Sequence, residues 1–105
     1  MTDKPVHYKC IHLQKAQELL NDPGTVIIDI RDKVSFQAGN IPNSINLSDD
    51  NIIDFLDSTD RKAPLLIYCY RGINSKDAAE YFVNNGFKSV FSLDGGYTEF
   101  SQQKS

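Results

Sequence analysis

A cysteine at the end of an apolar run is the residue of this sequence best placed to do chemistry. Cys69 follows Leu65–Tyr68 and opens a polar, glycine-containing loop that leads into a helical pattern. A thiol between a strand and a helix faces backbone N–H groups and the positive end of the helix dipole, which favour the thiolate. Such a position holds an anion and offers a nucleophile at one point, which indicates sulfur or phosphoryl chemistry.

The rest of the loop is expected to bind the anion. Gly72 permits a positive φ, so the backbone can curl and direct several N–H groups inward. Asn74 or Ser75 is expected to cap the following helix. Arg71 and Lys76 add two cations, although either alone could equally be a solvated surface charge. The predicted site consists of the nucleophile Cys69 and the binding residues Tyr70, Arg71, Gly72, Ile73, Asn74, Ser75 and Lys76.

Alternating strand and helix patterns surround this loop. Strands are predicted at Tyr8–Ile11, 26–30, 44–47, Leu65–Tyr68 and 89–91. Helices are predicted over Leu13–Leu20, Lys33–Ala38 and 77–83. A further helix is expected to follow a Ser48 cap, with Ile52, Ile53 and Leu56 facing the core. In a last helix, Tyr97 and Phe100 are expected to face inward. This order predicts an α/β domain with a mostly parallel sheet of about five strands and helices on both faces. Ligands of such sheets bind beyond the carboxyl ends of the strands, where Cys69 lies.

Composition limits the classes of function. The 105 residues are 40% hydrophobic and 24% charged, which is typical of one globular domain spanning residues 1–105. The net charge of −3 argues against binding to nucleic acid or to anionic membranes. No apolar run approaches the roughly 20 residues of a membrane span. Residues 1–7 lack the apolar core of a secretory signal, so a cytoplasmic location is expected.

The second cysteine is expected to be structural. Two cysteines are few for a domain stapled by disulfides, so both are predicted to be thiols. Cys10 lies in the first predicted strand and is expected to be a small core residue, because free cysteine is usually buried. His7, Cys10 and His12 match no zinc-binding spacing, and no metal site is predicted.

Several segments resemble one known family over nearly the whole chain. Residues 69–76 are similar to the Cys-x-x-Gly-x-x-Ser-basic active-site loop of rhodanese-type sulfurtransferases, and 26–32 resemble the family's strand ending in Asp-x-Arg. Residues 39–47 and 90–96 resemble two further family segments, and the closest likeness is to the single-domain bacterial thiosulfate sulfurtransferases of the GlpE type. The sequence departs from the family pattern at Asn40 (usually His), Asn43 (usually Gly), Phe100 (often Trp), Ile73 and Asn74.

The resemblance implies a reaction through a persulfide. Cys69 would take sulfur from thiosulfate and pass it to cyanide or to a thiol or dithiol protein such as a thioredoxin, with no metal or organic cofactor. An alternative is a sulfur-carrier or regulatory binding module. Many domains of this type that have lost the cysteine serve as interaction or regulatory domains, and the intact Cys69 argues against that role here. A cysteine-dependent phosphatase is less favoured, because a Cys-x5-Arg loop would need arginine where Ser75 stands.

Overall fold

A computed structural model describes residues 8–103 of the chain. Strands and helices alternate along it, as the apolar runs and helical patterns predict. The strands are β1 (Tyr8–Ile11), β2 (Val26–Asp29), β3 (Ser44–Asn46), β4 (Leu65–Tyr68) and β5 (Val90–Leu93). The helices are α1 (Leu13–Leu20), α2 (Lys33–Ala38), α3 (Ile52–Ser58), α4 (Asn74–Asn84) and α5 (Gly96–Gln103).

The described residues form one five-stranded sheet with β4 in its centre. The strand order is β1-β5-β4-β2-β3, and all neighbouring pairs are parallel. The predicted fold class is therefore confirmed. Because the strands are parallel, the carboxyl ends of β4, β5 and β2 lie at the same edge of the sheet, and Cys69 follows β4 at that edge.

Helices cover both faces of the sheet, and alternate residues of β4 contact each layer. Leu65 and Ile67 pack in a cluster with residues of α3 and α4. Leu66 and Tyr68 pack in a second cluster with residues of α1 and α5. All four side chains are fully buried. Burial of a large apolar side chain contributes about 1.5–3 kcal/mol, so β4 is anchored firmly on both sides.

The inner face of α3 differs from the prediction. Ile53 was expected to face the core, but it is 60% exposed. Phe55 and Leu56 are buried instead, and Ile52 is partly buried. In a helix, positions three and four after Ile52 share its face, whereas the adjacent Ile53 is rotated by about 100° toward solvent.

The expectation that Cys10 is a core residue is wrong. Cys10 is exposed, and Lys9 beside it is exposed as well. Among the strands of residues 8–103, β1 lies at the edge of the sheet and has β5 as its single neighbour. An edge strand is covered by fewer neighbours, so a residue type that is usually buried can face solvent there.

The predicted Ser48 cap of α3 is also wrong. The residue at the N-cap position is Asn51, whose side chain caps no N–H of the helix. The Ser48 hydroxyl accepts a hydrogen bond from the Asp50 N–H at 3.2 Å, and Asn51 Oδ1 accepts one from the Ser48 N–H at 2.8 Å. Ser48 and Asn51 therefore stabilise the turn before the helix rather than its first turn.

Two further properties concern residues 8–103. No helix in this range combines the length and apolar character that crossing a membrane requires. No group of three or more His, Cys, Asp or Glu side chains in it could hold a metal ion, and His7 lies outside the described residues.

Candidate active site

The Cys69 sulfur is enclosed by the backbone of its own loop. Cys69 is 3% exposed and follows the central strand directly. Its Sγ accepts hydrogen bonds from the N–H groups of Gly72 at 3.2 Å and Ser75 at 3.3 Å. Because the Ser75 N–H lies in the first turn of α4, the positive end of the helix dipole also faces the sulfur.

The surroundings of Cys69 favour its thiolate. Burial raises the pKa of the Cys69 thiol, but the Ser75 hydroxyl and the N–H groups of Ser75, Gly72 and Arg71 outweigh it and lower the pKa below its ordinary value of 9.0. Hydrogen bonds to the charged form stabilise that form, which is the physical cause of the shift. A larger fraction of the sulfur is therefore nucleophilic near neutral pH than in a free cysteine.

Two glycines allow the loop to dock against the segment after β5. Gly72 has a φ of 89°, and a Cβ there would lie 2.9 Å from both Gly95 N and Leu93 O. Gly96 has a φ of 55°, and a Cβ there would lie 2.5 Å from Cys69 O. Larger residues would force the backbones apart, so both glycines are needed for the curled loop.

The start of α5 holds the start of the loop. The Tyr97 N–H donates to Cys69 O at 2.8 Å, and the Thr98 N–H donates to Tyr70 O at 2.9 Å. These donors are N–H groups of the first helical turn, which have no partner within their own helix. The last helix thus fixes the carbonyl groups of Cys69 and Tyr70.

The Tyr70 side chain ties the loop to the start of α2. Its hydroxyl donates to Asp32 Oδ1 and also contacts the Ser35 hydroxyl. Asp32 caps α2 by accepting the Ser35 N–H at 3.0 Å. These hydrogen bonds lower the Asp32 pKa from 3.8 to about 2, and the bond from the Tyr70 hydroxyl contributes more than the bond from the Ser35 N–H.

Arg31 links β2 to the end of α2 and to α5 near the Tyr70–Asp32 contact. Its guanidinium donates to Asp29 Oδ2 at 2.7 Å and to Gly39 O at 2.6 Å. It also lies over the ring of Tyr97 at 4.1 Å from the centroid, a cation–π contact. Both members of the Arg31–Asp29 ion pair are buried, with side chains 3% and 0% exposed, so β2, α2 and α5 are held in fixed positions around the loop.

The remaining predicted site residues form an exposed rim. Arg71, Ile73, Asn74 and Lys76 are exposed, and Ile73 reaches 70%. The exposed side chains of Arg71 and Lys76 are available to an anion arriving from solvent. The structure thus separates the predicted residues by position. Gly72 and Ser75 donate to the sulfur, Tyr70 contacts Asp32, and the side chains of Arg71, Ile73, Asn74 and Lys76 lie at the entrance.

The predicted cap of α4 is wrong. Neither Asn74 nor Ser75 caps the helix; Ile73 occupies the N-cap position and makes no side-chain capping bond. Ser75 is instead fully buried, and its hydroxyl lies 2.7 Å from the hydroxyl of Ser92. The first turn of α4 is directed at the Cys69 sulfur. This sulfur, at the end of β4, accepts a hydrogen bond from an N–H of the first turn in place of a capping side chain.

Several residues of the site were not singled out from the sequence. Ser92, Asp32 and Ser35 contact loop residues from distant positions in the chain. Ser92 carries a weak signal, because it is the polar residue of the otherwise apolar strand Val90–Leu93. No pattern in the sequence marks Asp32 or Ser35 as partners of Tyr70.

Comparisons with known proteins identify the family of this chain. The sequence model of the family described as Rhodanese-like domain matches residues 12–103, so the chain belongs to the rhodanese-like domain family. The thiosulfate sulfurtransferase GlpE of Pseudoalteromonas translucida is 45% identical over 91 residues, which cover 87% of this chain and 87% of that protein.

Solved structures show the same fold. A rhodanese-like domain protein from Staphylococcus aureus has a TM-score of 0.73 and 28% identity, with 86% of this chain and 88% of that chain covered. A human single-domain sulfurtransferase has a TM-score of 0.79 at 18% identity, with 91% and 97% covered, and that likeness concerns the fold alone.

Structural reasons accompany the departures from the family pattern. Asn43, where the family usually has glycine, has a φ of 70°, a left-handed conformation that asparagine adopts more readily than most residues. Asn40, in place of histidine, donates from Nδ2 to Phe36 O at 2.8 Å. Phe100, in place of tryptophan, is buried in the α1–α5 layer. None of the three is among the hydrogen-bond donors to the Cys69 sulfur.

Proposed function

We propose that this chain is a thiosulfate sulfurtransferase with Cys69 as its nucleophile. The observation that carries the proposal is the buried Cys69 sulfur, which accepts N–H hydrogen bonds from Gly72 and Ser75. The 45% identity to a protein named thiosulfate sulfurtransferase supports the choice of thiosulfate as the donor.

The first step forms a persulfide. The Cys69 thiolate attacks the outer sulfur of thiosulfate, a new S–S bond forms, and the old S–S bond breaks. Sulfite leaves with the electron pair of the broken bond, and the terminal persulfide sulfur keeps the negative charge. The N–H groups around Cys69 stabilise that charge, and the exposed Arg71 and Lys76 attract the dianionic donor.

The second step returns the thiolate. A nucleophile such as cyanide, or the thiolate of a thiol or dithiol protein, attacks the outer sulfur of the persulfide. The Cys69 sulfur then leaves with the electron pair and is stabilised by the same N–H donors. Because the two substrates react in separate steps with a covalent intermediate between them, ping-pong kinetics are expected.

Intact mass measurement tests the intermediate. After incubation with thiosulfate and removal of excess reagent, the chain should gain one sulfur atom, about 32 Da, and peptide mapping should place it on Cys69. The nearly isosteric Cys69→Ser variant should gain nothing, whereas Cys10→Ser should be labelled like the wild type. Label on Cys10, or no label, would overturn the proposal.

A second assay separates sulfur transfer from phosphate hydrolysis. The position that would hold a phosphate-gripping arginine is Ser75, which is buried and turned toward Cys69 and Ser92. Backbone N–H groups alone supply only part of the stabilisation that a phosphoryl transition state needs. One preparation should therefore form thiocyanate from thiosulfate and cyanide and release almost no phosphate from para-nitrophenyl phosphate. Cys69-dependent phosphate release without thiocyanate would contradict the proposed function.

A further inference from the structure

A second hydroxyl lies behind the Cys69 site, on the neighbouring strand. Ser92 of β5 is fully buried, and its Oγ lies 2.7 Å from Oγ of Ser75, which is fully buried as well. The N–H of the same Ser75 donates to the Cys69 sulfur at 3.3 Å. Ser75 therefore meets Ser92 through its hydroxyl and the Cys69 sulfur through its backbone N–H. Its hydroxyl also interacts with Cys69 and helps to lower the pKa of that thiol.

The strand register explains why Ser92 faces Ser75. In β5, Val90 packs in the cluster formed with α3 and α4, whereas Leu93 packs in the cluster on the opposite face. Side chains alternate along a strand, so Ser92 shares the face of Val90 and points toward α4. Its partner in β4 is Ile67, which lies shortly before Cys69. A hydroxyl thus occupies a core position at the end of the sheet where the nucleophile lies.

The number of protons makes the direction of this hydrogen bond important. Each serine hydroxyl has a single proton and can donate it to one acceptor at a time. If Ser75 donates to Ser92, no proton of the Ser75 hydroxyl remains for the sulfur. If Ser92 donates to Ser75, the Ser75 proton is free to point at Cys69. A thiolate attracts a donor, so the second arrangement is favoured when Cys69 is ionised.

We infer that Ser92 is a positioning residue, which donates its proton to the Ser75 hydroxyl and thereby directs the Ser75 proton toward the Cys69 sulfur. Ser92 acts through Ser75 and has no role of its own on the sulfur. The inference rests on the proposed role of Cys69 as the nucleophile and assigns a task to the polar residue of an otherwise apolar strand.

The test measures the ionisation of Cys69 directly and uses no sulfur donor. Alkylation rates with iodoacetamide are followed against pH in the Cys10→Ser background, so that the exposed Cys10 does not contribute. The midpoint of the profile reports the thiol pKa, and its plateau at high pH reports access to the sulfur. Charged side chains of the loop and of the elements around it stay the same in every variant; they are Asp32, Arg71, Lys76, Asp77, Asp94 and Glu99.

Ser92→Ala should move the midpoint to higher pH and leave the plateau unchanged. Below the midpoint, alkylation should slow by about fivefold, the size of one ordinary hydrogen bond. Ser75→Ala should slow it at least as much, and Ser92→Ala should add nothing in the Ser75→Ala background. Ser92→Thr, which keeps the hydroxyl, should restore the wild-type midpoint.

Val90→Ala is the matched control, because it removes core packing from the same face of β5 without removing a hydroxyl. It should reduce stability and leave the midpoint in place. An unchanged midpoint in Ser92→Ala, an equal shift in Val90→Ala, or an additive shift in the double serine variant would each overturn the inference. Since no thiosulfate is present, these outcomes are independent of whether the chain transfers sulfur.

Discussion

The two cysteines place the same side chain in opposite surroundings. Cys69 follows the central strand β4 and is buried against N–H donors of its loop and of α4. Cys10 lies within the edge strand β1 and is exposed. Its own N–H and carbonyl groups belong to a strand that pairs with β5. The comparison teaches that exposure alone does not prepare a thiol for chemistry; convergent donors do, and they occur where a strand ends and a helix begins.

Replacing each cysteine by serine should show the largest difference in activity between the two regions. Cys69→Ser should lower thiocyanate formation by at least about a thousandfold, because the nucleophile is lost. Cys10→Ser should stay within about twofold of the wild type, since surface substitutions away from a site have small effects. Steady-state kinetics with thiosulfate and cyanide measure both. Comparable losses in the two variants would show that the distinction between the regions is mistaken.

The next largest effect should come from the backbone around the sulfur. Gly72→Ala adds a Cβ 2.9 Å from Gly95 N at a φ of 89°, so the loop must shift away from its docked position. We expect turnover to fall by about ten- to a hundredfold, and the free energy of unfolding to fall by about 1–3 kcal/mol.

Gly24→Ala is the control for the glycine prediction. Gly24 lies before β2, and a Cβ there would have Asp22 Oδ1 as its nearest atom at 3.4 Å, an ordinary contact. This variant should keep full activity and gain up to about 1 kcal/mol of stability, because alanine restricts the unfolded chain. Urea unfolding and kinetics on both variants decide the matter; full activity in Gly72→Ala would mean that the curled loop is not needed.

Rim charges should have a smaller effect, mainly on the Michaelis constant. Arg71→Ala and Lys76→Ala should each raise the Michaelis constant for thiosulfate by about two- to fivefold with little change in turnover, because exposed cations attract the dianion before reaction. Added salt should reduce the difference from the wild type, since exposed charges are screened within about 10 Å at 0.1 M. Lys9→Ala, beside Cys10, is the matched control and should change neither constant. If all three variants had the same Michaelis constant and turnover, Arg71 and Lys76 would be surface charges with no part in binding thiosulfate.

The smallest effect should appear in acid stability. Tyr70 and Ser35 hold the pKa of Asp32 at about 2, below its ordinary 3.8. A lowered folded-state pKa stabilises the fold above the unfolded pKa, and that contribution is lost as the pH falls through the folded pKa. Asp32→Asn should therefore be less stable than the wild type at neutral pH, and the difference should shrink as the pH approaches 2. Urea unfolding across this range measures it.

Asp57→Asn, which changes an exposed carboxylate of α3, is the control for the acid-stability prediction. The difference in unfolding free energy between Asp57→Asn and the wild type should vary less between pH 4 and pH 2. The Asp32 pKa shift, from 3.8 to about 2, sets this interval. If the difference in unfolding free energy between Asp32→Asn and the wild type stayed constant down to about pH 2, the Asp32 carboxylate would not be holding Tyr70 in place.

Local patterns predicted most of the architecture and failed where several elements meet. The apolar run Leu65–Tyr68 and the loop after it were readable because strand and helix periodicities are properties of neighbouring residues. Ile53 was assigned to the wrong face because a short helix offers few positions from which to fix its rotation. Cys10 was assigned to the core because the sequence does not show that its strand lies at the edge of the sheet.

The sequence by itself determined that Cys69 stands between a strand and a helix in a glycine-containing loop, since chain neighbours alone create that junction. Only the tertiary structure decided what surrounds the sulfur. Ser92 reaches Ser75 because β5 pairs with β4, and Tyr70 meets Asp32 across 38 positions of the chain because β2 lies on the other side of β4. Such contacts depend on the order of strands in the sheet. That order is set by the packing of apolar faces over the whole domain, which no single segment encodes.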